Sequence, residues 1–308
     1  MATMKTLNGY GFNATELNGK AASDYLQKTD TAANSAKLGG KAPEYYIQPR
    51  NLLDNSDFTN PVNQRGQTSY NSVGYTIDRW TKESNAILTI SDDCINIDNS
   101  ANSTEEVVIQ KVDSDTAAKL IGKTVTIAIC TSDGTVYAKS GVVAYDVPVA
   151  LIEHNGFTFQ LQFFRDAMSY QVARLVIWAG SNVSVKWVAL YEGSYTADTL
   201  PPYVPKGYAA ELAECQRYFR KGVQAVTIGT LYNNSGSIFS LSVPGMRIKP
   251  TTTLTDILSQ GWGDVTASNY TAGWTGNFGS SFYVNHISSV SGDVGKNVAV
   301  VYEMSADL

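Results

Sequence analysis

The chain has 308 residues, 43% of them hydrophobic and only 17% charged, with a formal net charge of −5. That apolar content excludes a wholly disordered chain, and the acidic balance argues against a protein that grips nucleic-acid phosphates with a basic face. Ser, Thr, Asn, Gly and Tyr stand in for charge, Tyr alone occurring 18 times.

In chain order, Met1–Gly9 has no apolar core of the kind a secretory signal needs. Residues 1–50 carry an internal repeat: Leu17-Asn-Gly-Lys-Ala-Ala-Ser-Asp-Tyr25 recurs as Leu38-Gly-Gly-Lys-Ala-Pro-Glu-Tyr-Tyr46, offset by 21 residues, with a weaker copy from Leu7. Each unit has too little apolar surface to close its own core, so it gains order only by stacking on neighbours or other chains. A flexible linker is the competing reading.

Residues 51–205 read as strands. Phe157, Phe159, Leu161 and Phe163 alternate with polar residues, as do Val183, Val185, Trp187, Ala189 and Tyr191. A period of two means half-buried strands. Thr124–Cys130 and Val172–Trp178 are further strands, and Ser114–Ile121 suits a short helix capped by Ser114 or Asp115. Trp80, Trp178 and Trp187 are expected in the core. His154 precedes Asn155-Gly156, a hairpin signal, and is placed on an exposed loop. Three prolines in Leu200–Lys206 make a stiff connector. Residues 207–220 then switch to helical spacing, with Leu212, Cys215 and Phe219 on one face. The basic group Arg217, Arg220 and Lys221 is read as a solvated helix end. Strands return at 222–232, 237–243, 280–287 and 297–303. No run reaches the ~18 apolar residues of a membrane-spanning helix. Cys94, Cys130 and Cys215 are odd in number and far apart, which suits buried thiols and synthesis in a reducing cytosol.

Three patches in the order Asn51-Leu-Leu-Asp-Asn-Ser-Asp-Phe58, Pro61-Val-Asn-Gln-Arg-Gly66 and Tyr75-Thr-Ile-Asp-Arg-Trp80 resemble the opening of carbohydrate-binding-module-like domains in bacteriophage tail fibres and related tail-like bacteriocins. Trp187–Gly193 with Pro201–Pro205 resembles the end of that domain. Glu211–Phe219, Val243-Pro-Gly-Met-Arg247 and Pro250–Thr253 are similar to the fibres' C-terminal region, and the 38–46 unit to their shaft repeats. The resemblance implies a homotrimeric adhesin, made in the host cytoplasm, released by lysis and carried on the virion. Such a protein recognises a bacterial surface polysaccharide and meets other tail or baseplate proteins through its N-terminal segment. No cofactor, nucleic acid or membrane insertion is expected, and the resemblance carries over no shared sugar-contact motif.

The expected architecture is therefore all-β. A repeat shaft or attachment segment spans 1–50, a jelly-roll-like β-sandwich 51–205, and a helix-linked trimeric tip 206–308. Among candidate sites, His154 and His286 lie near neither a nucleophile elbow nor metal-ligand spacing. Asp54 with Asp57, and Asp113 with Asp115, offer calcium-type oxygens without the twelve-residue loop pattern, and for Asp54 and Asp57 turn chemistry is the favoured reading. The glycine-rich stretch 260–278 stands out for sugar binding: Trp262, Tyr270 and Trp274 offer stacking rings, and Asp264, Asn269 and Asn277 offer hydrogen bonds. The same tryptophans would equally plug a trimer core. The expectation is a non-catalytic glycan-binding adhesin. A purely structural fibre or baseplate component and a polysaccharide-degrading tail enzyme are the alternatives.

Overall fold

The computed structural model describes residues 16–17, 20–21, 49–165, 171–227, 237–242, 246, 250–258, 270–274, 281–286 and 297–306. These form antiparallel strands with two helices, so the chain is all-β. It divides into two units, one holding residues 1–48 with Thr199–Tyr203, the other Pro49–Asp198 with Val204–Leu308. In the first, β1 (Glu16–Leu17) and β2 (Lys20–Ala21) pair as a hairpin, Leu17 opposite Lys20. The second copy of the repeat, at 38–46, lies outside the described residues.

The second unit opens with β3 (Ser69–Tyr70), β4 (Gly74–Tyr75), β5 (Trp80–Lys82), β6 (Ile87–Ile90), β7 (Ile95–Asp98) and β8 (Glu106–Lys111). Helix α1 (Ser114–Leu120) leads into β9 (Thr124–Thr131), β10 (Val136–Val142), β11 (Pro148–His154), β12 (Phe157–Gln162), β13 (Val172–Ile177) and β14 (Asn182–Glu192). They form two six-stranded sheets, in the orders β10-β9-β14-β7-β6-β3 and β11-β12-β13-β8-β5-β4. Residues of both sheets enter one buried apolar cluster. Phe157, Phe159, Leu161 and Phe163 point into it as their alternation predicts, each burial contributing roughly 1.5–3 kcal/mol.

Three departures from the expected pattern have local causes. In β14 the pairing with β9 shifts between Val185 and Trp187. The extra residue of a bulge reverses which face points inward. Val183 and Val185 are therefore followed in the core by Val188 and Leu190, and Trp187 is only half-buried. Trp178 falls one residue beyond β13 and is 37% exposed rather than in the core. Asp113, not Ser114 or Asp115, holds the N-cap position of α1. Trp80, as expected, is buried. The Asn155-Gly156 signal also holds: His154 pairs with Phe157 across a two-residue turn in which Gly156 takes a φ of +89°. His154 itself is half-buried at the end of β11, its Nε2 2.8 Å from the Tyr137 hydroxyl.

Helix α2 (Tyr208–Cys215) is shorter than its sequence pattern, because Phe219 already starts β15 (Phe219–Thr227). The remaining strands are β16 (Ser237–Ser242), β17 (Thr251–Leu258), β18 (Tyr270–Trp274), β19 (Ser281–His286) and β20 (Asn297–Ser305). They form two three-stranded sheets, β15-β20-β17 and β16-β19-β18. Neither β17 nor β18 was foreseen. Among the described residues no helix is long and apolar enough to cross a membrane.

Candidate functional site

The residues that carried the family resemblance build a polar junction that ties the 49–80 segment to itself, to β14 and to α2–β15. Asn51 accepts from the Leu53 and Leu190 amides at 3.1 and 3.0 Å and donates to Ser56 Oγ at 2.8 Å. Asn55 exchanges bonds with both Val62 N and Val62 O, at 2.7 and 2.8 Å, and its own amide donates to the Glu211 carboxylate. Trp80 Nε1 donates to Asn55 O at 2.8 Å. Gln64 bridges the parts directly, donating to Asp78 Oδ2 at 3.0 Å and to Phe219 O at 2.8 Å.

Asp78 and Arg79, neighbours in the chain, pair with different partners. Asp78 binds Arg65 Nη1 at 2.9 Å, and Arg79 Nε lies 3.1 Å from Asp54 Oδ2. Arg79 holds a left-handed backbone, φ +72°, which is unfavourable for a bulky residue. Its guanidinium donates to Lys111 O at 2.8 Å and lies 3.5 Å from the Tyr218 ring centroid, so several contacts fix that conformation.

Asp54, Glu211 and Glu214 place carboxylate oxygens within 4.8 Å of one another. Lys206 Nζ occupies the middle of this acidic group, 2.6 Å from Glu214, 3.4 Å from Asp54 and 3.8 Å from Glu211. The ammonium does there what a cation would do. Burial acts to raise the Asp54 pKa, but Arg79 and Lys206 outweigh it and hold the carboxyl below its ordinary value. Burial likewise opposes the charge on Lys206, and the carboxylates of Asp54, Glu214 and Glu211 hold its pKa above the ordinary value. Glu211 goes the other way, pushed up by burial against the pull of Lys206. Asp57, the other residue of that calcium candidate, accepts from Thr59 N and Oγ1 at 3.1 and 2.7 Å, which is turn chemistry.

Beside this junction lies an open cleft of about 490 Å³. One side comes from the 65–75 segment, with Asn71, Ser72, Val73 and Tyr75, and the other from Lys221 and Glu303 on paired positions of β15 and β20. Its cations have partners: Lys221 meets Glu303 at 2.8 Å, and Arg65 meets Asp78. Arg65 also lies 3.9 Å from the Phe219 ring centroid and 4.8 Å from that of Tyr75. The basic group 217–221 is thus no solvated helix end: Arg220 bonds Gln216 at 2.7 Å, and both Arg220 and Lys221 belong to β15. The cleft offers amide, hydroxyl and phenol groups with balanced charge, a chemistry suited to hydrogen-bonding a polyol.

Of the sequence-predicted sugar contacts, Trp262, Asp264, Asn269 and Asn277 lie outside the described residues. Tyr270 and Trp274 open and close β18, opposite His286 and Phe282 of β19. Their side chains are likewise outside the described set. Sequence reasoning missed the 65–75 cleft, although Gln67-Thr-Ser-Tyr-Asn-Ser-Val-Gly-Tyr75 has the same mix of aromatic, amide, hydroxyl and glycine that marked 260–278.

No protein-family model and no curated protein matches the chain. Among solved structures, a mutant of Bacillus subtilis oxalate decarboxylase is aligned over 79% of this chain and 80% of its own, at 7% identity and a TM-score of 0.10. A likeness of that size carries no argument about fold or activity.

Proposed function

We propose that the protein is a homotrimeric tail-fibre adhesin that binds a bacterial surface glycan without cleaving it. In this reading 51–205 is a jelly-roll-like sandwich, 1–50 attaches the fibre to other tail or baseplate proteins, and the particle is released by lysis. The observation that supports it best is the cleft, whose hydroxyl, amide and phenol lining and paired charges match a sugar polymer. A shallow polar site binds weakly by itself. Three copies per fibre and several fibres per particle raise the effective affinity through effective concentration. The test is retention of the labelled full chain on arrayed bacterial surface polysaccharides, with reducing ends assayed in the eluate. Retention without released ends supports an adhesin. Released ends would make it a polysaccharide-degrading enzyme instead.

A second reading, a structural fibre component, draws on a different observation. Asn51, Asn55, Gln64, Asp78 and Trp80, all within the family-like patches, spend their polar groups on the junction. Retention on no polysaccharide would favour it.

A further inference from the structure

Resting on the adhesin reading, we infer that the 490 Å³ cleft is a composite site for an uncharged saccharide segment, assembled jointly by the 65–75 segment and the β15–β20 ladder. Its size falls within the roughly 300–1,000 Å³ of small-ligand sites. Asn71 and Ser72 are exposed and line the cleft; Asn71 Oδ1 accepts from Ser69 Oγ at 3.1 Å, and the Asn71 NH2 and the Ser72 hydroxyl are the groups that would meet a ligand. Val73, 60% exposed, offers an apolar surface for the C–H face of a sugar ring.

The ligand class follows from the charges. A sugar acid entering the cleft needs a cation to receive it, and Arg65 and Lys221 already hold the carboxylates of Asp78 and Glu303. The ligand would have to displace a carboxylate or sit beside one, and either costs more than hydrogen-bonding a neutral hydroxyl. An amino sugar meets the mirror problem at the cations. A neutral polyol disturbs neither pair.

The composite character follows from the junction. Gln64 and Arg65 stand at the start of the cleft segment, and both also engage Phe219, two residues before Lys221. The contacts that hold β15 in place therefore also set the two sides of the cleft against each other.

The experiment uses the full chain and arrayed polysaccharides sorted into uncharged and anionic sets. It compares wild type with Asn71→Ala, Val73→Glu and Lys221→Ala, and thermal midpoints verify folding. Asn71 and Val73 are exposed, so those two variants are expected to keep the wild-type midpoint. The expected result is retention on uncharged polysaccharides, insensitive to salt, with Asn71→Ala and Lys221→Ala each weakening it by about tenfold, the worth of one or two hydrogen bonds, and Val73→Glu by about as much through the lost apolar contact and the added charge. Retention on uncharged polysaccharides that survives all three substitutions overturns the site while leaving the adhesin reading standing. So does loss of binding in Trp178→Ala, an exposed tryptophan three strands from β4 in the same sheet. Retention on anionic polysaccharides alone overturns the ligand class. Retention on none overturns the adhesin reading and this inference with it.

Discussion

Replacing Lys206 with Met tests whether the junction is held by charge. Lys206 Nζ donates to Glu214 at 2.6 Å and to Leu53 O at 3.1 Å, with Asp54 3.4 Å away, and its side chain is only 18% exposed. Removing one partner of a buried ion group costs about 3–5 kcal/mol, because the remaining charges are left uncompensated. Arg79 still neutralises Asp54 and Arg50 still reaches Glu214 at 3.1 Å, which softens the loss. We expect about 2–3 kcal/mol, or a fall in Tm of roughly 4–12 °C for a unit of this size. The pH dependence carries a sign. The Lys206 pKa is raised by folding, so its contribution is full below its ordinary 10.5 and fades as pH rises through the folded value. The Asp54 pKa is lowered, so its contribution is present above 3.8 and fades as pH falls through the folded value. Glu211 opposes this in part: with its pKa raised, it favours folding below 4.5 and loses that as pH rises through the folded value. Differential scanning calorimetry across pH should show the gap between wild type and Lys206→Met widest in the neutral range and closing at both extremes. A gap below about 0.5 kcal/mol, the ordinary surface value, or one flat in pH, would refute the electrostatic account.

Other expectations follow from single contacts. Trp80→Ala removes a buried indole, its bond to Asn55 and an edge contact with Phe58 at 5.3 Å, and should cost about 3–5 kcal/mol in thermal or urea unfolding. Gly141→Ala brings a methyl to 2.9 Å from the Ala150 backbone nitrogen, and should lower stability by about 1–3 kcal/mol in the same assay. Cys94, Cys130 and Cys215 are free and buried, and burial pushes the Cys215 thiol far above its ordinary value. A thiol reagent should therefore label Cys215 only upon unfolding, as peptide mapping would show; rapid labelling of the native chain would contradict its burial.

What the sequence made legible was local. The Phe157–Phe163 run alternates cleanly because β12 pairs with β13 without a break and the bulge in its pairing with β11 falls on β11, between Val149 and Ile152, and Asn155-Gly156 marks its turn. The β14 alternation misled because a bulge adds one residue without leaving a mark in composition. Strand β17 escaped notice because Thr251-Thr-Thr-Leu-Thr-Asp has little apolar period to detect. The junction and cleft were illegible for another reason: their partners are distant in the chain, as with Asn55 and Glu211, 156 residues apart. Asn, Asp, Arg and Trp side chains reaching so far look, in sequence, like a motif with a ligand. In the fold many of them bind one another.

Avidity is the central claim, since a shallow, charge-balanced cleft needs several copies to hold a cell. Light scattering of the purified full chain after size exclusion tests it most directly. The account predicts a native mass of three times the 33.3 kDa chain. A mass of 33.3 kDa would leave one weak site per molecule and contradict it.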